Sequence, residues 1–272
     1  MIDVQPLLGR KGATRIALIA PPVLDALNEG LIETVNLNEF LAIDLARLTT
    51  RVADQVGLDP DHERLHDTLA MLDAFKPIKR HLHVARALYD LTAAHPERDA
   101  IAHRLATHAS DVARCWAAQW LMFAEQSLPD KLQAVRCFAA DRHFGVREVA
   151  WMALRDPLAG ALDKGLLLLQ PWVRDPDENI RRFASELTRP RGVWCAQIEA
   201  LKAEPWRALN LLEPLRADPS RYVQNSVANW LNDASKSQPQ WVSQLGERWL
   251  VESDAPQTRY IVRRALRTLL KQ

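Results

Sequence analysis

Glycine is scarce in this chain. Nine of 272 residues are Gly, about 3% where roughly 7% is usual. They fall at positions 9, 12, 30, 57, 145, 160, 165, 192 and 246, and no subset spells GxGxxG or GxxxxGK[ST], so the glycine-rich backbone cradles that hold phosphate are missing. Rossmann and P-loop enzymes are thereby excluded. Cysteine is equally sparse: Cys115, Cys137 and Cys195 are widely spaced without a CxxC. This pattern gives neither a disulfide framework nor a cysteine zinc ribbon, and predicts small core residues in a reducing compartment. Long apolar runs are absent too. The best candidate, Ile16 to Leu24, is nine residues broken by Pro21-Pro22, too short to span a bilayer. Arg10, Lys11 and Arg15 precede it, but the proline pair and the lack of a cleavage site speak against a signal peptide. The chain is expected to be cytoplasmic, with no membrane partner. An excess of one charge is also missing, with 35 Lys plus Arg against 34 Asp plus Glu, which by itself argues against a strongly basic nucleic-acid binder.

What remains is helical. Phe40, Leu41, Leu45, Leu48, Val52 and Val56 recur at intervals of one, three or four, predicting one helix from an Asn38 N-cap to a Gly57 stop. Pro60 and Pro77 precede helices, whereas Pro96, Pro129, Pro157 and Pro171 mark turns. The second half repeats itself: DRHFGVREVAWMAL (Asp141 to Leu154), DPDENIRRFASEL (Asp175 to Leu187), DPSRYVQNSVANWL (Asp218 to Leu231) and DAPQTRYIVRRAL (Asp254 to Leu266) each run from an Asp-led turn into an apolar stripe. Val146, Ile180, Val223 and Ile261 align, and Val112 extends the series upstream. Such periods belong to helical-pair repeats of the HEAT kind, in which each unit stacks on its neighbours to bury a face. The expected fold is all-α, an α-solenoid of HEAT-like repeats with a concave basic groove. Residues 101–272 form the repeat domain, and residues 1–100 an N-terminal helical cap region packed on it.

The neutral total hides an asymmetry. Residues 1–100 carry 11 basic and 15 acidic side chains, whereas residues 101–272 carry 24 and 19, and of those 24 cations 19 are Arg. Arg favours planar, bidentate contacts with phosphate or carboxylate. Arg142, Arg147, Arg181, Arg182 and Arg221 sit where repeat helices begin. They either pair with repeat carboxylates on a solvated surface or share a basic groove.

Two constellations invite chemistry. His62-Glu63-Arg64-Leu65-His66 matches H-E-x-x-H, the zinc-protease pattern. It directly follows Asp59-Pro60-Asp61 and lacks a signalled third ligand, so a polar, capped helix start is the favoured reading, and no metal is assigned. Nine Trp against three Tyr is the sharper anomaly. Trp116, Trp120, Trp151 and Trp230 keep helical spacing from apolar neighbours and read as core. Trp194 follows Thr188-Arg189-Pro190-Arg191-Gly192, a connector at a helix entrance, where an aromatic face beside guanidinium groups suits a nucleobase, sugar or cationic ligand.

The runs ENIRRFASELTRPRGVW (Glu178 to Trp194), DPSRYVQNSVANWLNDASK (Asp218 to Lys236) and TRYIVRRALRTLLK (Thr258 to Lys271) resemble the AlkC branch of the AlkC/AlkD-type bacterial DNA glycosylases, over about residues 140–272. The resemblance implies a HEAT-like solenoid whose concave, basic face holds alkylated double-stranded DNA. It also implies hydrolysis of the N-glycosidic bond of cationic bases such as 3-methyladenine, by a monomer with no metal or organic cofactor. Trp194 matches the family's groove Trp and Asp233 its groove carboxylate. Arg147, Arg181, Arg189, Arg191 and Lys236 would contact phosphates, with Trp151 on the same DNA-binding surface.

That chemistry needs little from the protein. A base alkylated on a ring nitrogen is already a good leaving group, so the enzyme must add negative electrostatics beside an oxocarbenium-like sugar, a π-face, and a carboxylate to position water. One departure stands out. The AlkC branch carries a catalytic Glu in a motif like SEFAIRP, and the corresponding WMALRD here puts Trp151 at that position; Glu148, one turn earlier, is the candidate substitute. Catalytic roles are therefore expected for Asp233, Trp194 and Glu148. The alternatives are a non-catalytic HEAT-like protein that recognises DNA or its damage, a protein-interaction scaffold, and, most distantly, a zinc hydrolase.

Overall fold

The computed structural model describes residues 2–192 and 194–271. Among them every regular element is helical and no strand occurs, as the helical periodicity predicts. Contacts divide the chain into two compact units: Met1–Glu125 with Arg142–Ala150, and Gln126–Asp141 with Trp151–Gln272. The boundary expected at residue 100 falls inside the first unit. No described helix is long and apolar enough to cross a membrane.

In the first unit the stripe expected to run unbroken from Asn38 to Gly57 is two helices. Asn36, not Asn38, caps Leu37–Ala42 by accepting from the Glu39 amide at 3.0 Å. Asn38 instead donates to the Ala13 carbonyl at 3.0 Å. The backbone is extended at Ile43, and Asp44 starts Leu45–Val56 by accepting from the Arg47 amide at 3.0 Å. A short Asx side chain competes for backbone amides and restarts the helix. Gly57, at φ +87°, ends it in the left-handed conformation that glycine tolerates best. The H-E-x-x-H segment is a capped helix start: His62 Nδ1 accepts from the Arg64 amide at 3.1 Å and so caps Glu63–Met71. Among the described residues no three His, Cys, Asp or Glu side chains are grouped to hold a metal. Buried Asp111 accepts from the Thr34 amide and hydroxyl at 2.9 and 2.7 Å, and burial pushes its carboxyl above the usual range.

The second unit stacks repeat helices. Glu178–Leu187, Arg221–Ser235 and Pro256–Ala265 pack side by side in chain order. Asp177 and Ser220 cap the first two, and Pro256 pre-sets the first turn of the third. Their apolar stripes meet at Ile180, Phe183, Val223, Val227, Trp230, Ile261 and Val262, all buried. Trp116, Trp120, Trp151 and Trp230 are core residues as expected. Of the cysteines only Cys115 is buried; Cys137 is exposed and Cys195 half-buried.

Hydrogen bonds define the repeat register. At the head of each turn a side chain accepts from the amide two residues on: His108 from Ser110, Asp175 from Asp177, Asp218 from Ser220, Ser253 from Ala255. Six residues after the head a long side chain folds back onto the carbonyls of its own turn. Arg114 reaches the His108 carbonyl at 2.7 Å, Arg147 that of Arg142 at 2.9 Å, Arg181 that of Asp175 at 2.8 Å and Gln224 that of Asp218 at 2.7 Å; Arg259 bonds Asp254 likewise. Two of the sequence alignments are thereby corrected. The buried residue before each of these side chains is Ala113, Val146, Ile180, Val223 and Thr258, so Ala113 replaces Val112 and Thr258 replaces Ile261. The turn heads at 108, 141, 175, 218 and 253 lie 33, 34, 43 and 35 residues apart.

Candidate functional site

Polar lines on the three stacked helices, buried at Glu186 and Asp233 and otherwise mostly half-buried, form one face. On Glu178–Leu187 and just beyond it the line is Arg182, Glu186, Arg189; on Arg221–Ser235 it is Tyr222, Asn225, Asn229, Asp233, ending at Lys236; on Pro256–Ala265 it is Tyr260, Arg264, then Arg267. Each step is three or four residues, the spacing that keeps side chains on one helical face. Cross-links hold the lines together. The Arg182 guanidinium lies 4.2 Å from the Tyr222 ring centroid; within the third line that of Arg264 lies 5.6 Å from Tyr260. Tyr260 Oη donates to Asn225 Oδ1 at 2.7 Å, and Arg267 Nη2 to Asn229 Oδ1 at 2.9 Å.

The electrostatic centre is a cluster around Asp233, which is only 6% exposed. Arg189 donates to Asp233 Oδ2 through Nε at 2.9 Å and Nη2 at 2.7 Å, and to Glu186 Oε2 through Nη1 at 3.0 Å. Lys236 Nζ reaches Asp233 Oδ1 at 3.3 Å, and Arg182 approaches Glu186 at 3.5 Å. Burial alone would lower the Arg189 pKa, but the facing Glu186 and Asp233 charges carry it above its ordinary value. Arg267 is held below its ordinary value, first by burial and then by Arg264, with Arg189 adding to the repulsion. Cations thus crowd this face beyond what its two carboxylates neutralise.

No protein-family profile matches the chain. Over 110 residues it is 42% identical to the uncharacterised protein YhaZ of Bacillus subtilis (strain 168), a stretch that covers 40% of this chain and 30% of YhaZ. Among solved structures it superposes on the Pseudomonas fluorescens alkylpurine DNA glycosylase AlkC, bound to DNA containing an abasic site analog, with TM-score 0.69 and 26% identity over 84% of this chain. The fold is AlkC-like. The chain spans 63% of that AlkC chain, and so under two thirds of either relative. It also shares its fold with smu.31 of Streptococcus mutans UA159, with TM-score 0.56, 22% identity, and 74% and 96% of the two chains covered.

Within this AlkC-like fold, Arg189, Asp233 and Lys236 come together as one cluster. Arg191 reaches from the connector to Ser237 Oγ at 2.8 Å, just past the Arg221–Ser235 helix, and to Gln197 Oε1 at 3.2 Å. Trp194 stands 67% exposed in the connector, with φ +59°; the next helix starts only at Glu199. Arg181 is not a surface cation. It grips Asp218, the head of the next turn, through Nε at 2.7 Å and Nη2 at 3.0 Å, which raises its pKa. Its donors are spent on its own turn and on Asp218. Trp151 is 1% exposed, so its indole is core and offers no surface to DNA. Arg147 and Glu148 lie on Phe144–Ala153, in the part assigned to the first unit; both are half-buried.

Sequence reasoning missed Glu186, Tyr222, Asn225, Asn229, Tyr260, Arg264 and Arg267. A signal existed for Glu186. Ser185 to Pro190 reads S-E-L-T-R-P, one residue shorter than the S-E-F-A-I-R-P pattern sought at Trp151. The others were legible only as three helical lines read side by side, which requires the repeat register to be known.

Proposed function

We propose that this chain is a DNA alkylation repair protein: a monofunctional DNA glycosylase that hydrolyses the N-glycosidic bond of cationic alkylated bases, 3-methyladenine-like, in duplex DNA. The observation that carries the reading is the buried carboxylate pair, Asp233 and Glu186, bridged by Arg189 within a face crowded with further cations. Positive charge at Arg264, Arg267 and Arg191, with Lys236 beside Asp233, suits a phosphate backbone running along a basic groove. The likeness to AlkC, a glycosylase solved on DNA, supports the same partner.

In this reading Trp194 offers its face to the lesion, and a cationic base is drawn to that π-surface. The C1′–N bond breaks with its electron pair passing to the base, which neutralises the alkylated ring. The positive charge moves to the sugar. Asp233 and Glu186 stabilise that developing charge, and one of them accepts the proton of the water that adds to C1′. A phosphate that engages Arg189 and Lys236 would loosen their hold on Asp233 and leave its oxygens free for this work.

A second reading, a DNA-binding protein that does not cut, is favoured by the Trp at position 151 and by the pairing of Asp233 and Glu186 in the free protein. The test is release of 3-methyladenine from methylated duplex. Release by the wild type that disappears in Asp233→Asn supports the enzyme; salt-sensitive duplex binding without release from any alkylated substrate sinks it in favour of the second reading.

A further inference from the structure

The repeat that precedes the one carrying Trp194 holds a cation that the proposed chemistry does not use. Arg155 opens the Arg155–Gly160 helix and is 1% exposed, and among the described residues no carboxylate accepts a hydrogen bond from it. Its guanidinium is spread over three backbone carbonyls. Nε donates to Ala196 at 2.8 Å, Nη1 to Leu187 at 3.0 Å and Nη2 to Arg189 at 2.5 Å. These carbonyls lie on both arms of the connector, two where the chain leaves Glu178–Leu187 and one where it returns. The Ile198 amide closes the neck by donating to the Pro190 carbonyl at 3.0 Å. Burial holds the Arg155 pKa below its ordinary value, as expected of a desolvated charge, and the three carbonyls take up its donors.

The connector is fitted to this cation. A Cβ on Gly192 would lie 3.0 Å from Arg155 Cζ and Nε and 2.1 Å from Cys195 Sγ, so a side chain there would displace Cys195 and press on the guanidinium. Two residues on, Trp194 is the one non-glycine described residue with positive φ, and its indole is turned out to solvent. A large ring left on the surface of a strained backbone persists only where its surroundings over-determine it.

We infer that Arg155 is a positioning residue that sets the connector so that the Trp194 ring stands open to its ligand, an inference that rests on the DNA reading above. The planar fork of five donors is what bridges both arms; an ammonium at the same place reaches fewer carbonyls at fixed angles.

The test pairs Arg155→Lys and Gly192→Ala, each alone and combined with Trp194→Ala, and measures anisotropy of a labelled duplex containing an abasic-site analog. Each variant is also compared with its Trp194→Phe counterpart for acrylamide quenching, so that the difference reports Trp194 alone. If Arg155 acts through Trp194, Arg155→Lys weakens duplex binding about tenfold when Trp194 is present and less than about twofold once it is Ala, and quenching of Trp194 falls. Equal losses in both backgrounds, or unchanged quenching, overturn the inference. Should Arg155→Lys fail to fold, Gly192→Ala disturbs the same fit from the loop side and carries the same expectations. If the wild type does not bind duplex, or Trp194→Ala binds as well as wild type, it is the DNA reading that fails, and the quenching comparison then decides the role of Arg155 alone.

Discussion

Arg189 is held between two carboxylates, giving Asp233 two hydrogen bonds at 2.9 and 2.7 Å and Glu186 one at 3.0 Å. Both acids are nearly buried, so removing the cation leaves Asp233 only Lys236, at 3.3 Å, and Glu186 only the longer contact with Arg182, at 3.5 Å, to offset their charges. Breaking a buried pair from one side costs about 3–5 kcal/mol, and Arg189→Met is expected to lose stability in that range by urea unfolding. Asp233→Asn keeps an acceptor for Arg189 and removes the repelling charge, so it should fold with a smaller loss while abolishing base release. Full release by Asp233→Asn would falsify the catalytic assignment.

Two arginines that look alike in sequence should behave oppositely. Arg267 is destabilised by burial and by neighbouring cations, whereas Arg181 is satisfied by Asp218. Arg267→Ala is expected to lower the slope of log K against log salt for duplex binding by about one, with little change in melting temperature. Arg181→Ala is expected to leave the slope unchanged and to cost roughly 3–5 kcal/mol by stranding Asp218. A reversed pattern would return Arg181 to the phosphate-binding set.

Installing the acid that the AlkC branch carries at position 151 is not expected to rescue activity. Trp151 fills the core, and Trp151→Glu would combine a cavity with a buried charge. Losses above about 4 kcal/mol belong to that combination. Thermal melting should show a lower midpoint or no cooperative transition; a folded Trp151→Glu protein with increased base release would contradict this.

Acid stability should depend on His81. Its ring stacks on Phe40 at 4.3 Å between centroids, and burial, with a smaller push from Arg80, lowers its pKa to about 3 from an ordinary value of 6.5. The unfolded chain takes up this proton first as pH falls, so the stabilisation is fully present above pH 6.5 and is lost progressively towards pH 3, by at most ~5 kcal/mol. His108, lowered to about 4 by burial and Arg114, acts in the same direction. Urea midpoints of His81→Phe measured from pH 7 to pH 4 should fall less steeply than those of the wild type.

The fold was legible because its determinants are local. Asp-led turns, helical stripes and punctuating prolines each act within a few residues, and the repeats multiply the signal. The break at Ile43 was missed because two in-phase helices present the same stripe as one. At the site, Arg189, Asp233 and Lys236 were reached through the family resemblance, since alone Asp233 reads as an ordinary helix-end carboxylate. Arg181 and Trp151 misled for a physical reason: a cation at a helix start and an aromatic on a stripe serve packing or binding alike, and only their partners decide. Glu186 was hidden by a search for the motif one repeat too early.

Each turn is closed by its own sixth residue, Arg114, Arg147, Arg181, Gln224 or Arg259, bonding carbonyls that lie within its own segment. The stacking therefore sets no fixed distance to the next turn, and one interval stretches to 43 residues without loss of register. The added length is the connector bearing Arg191, Gly192 and Trp194. Self-contained turns make such a stack a scaffold into which a reactive loop can be spliced or from which it can be trimmed, so the segment that distinguishes this chain chemically is one that its architecture could gain without being rebuilt.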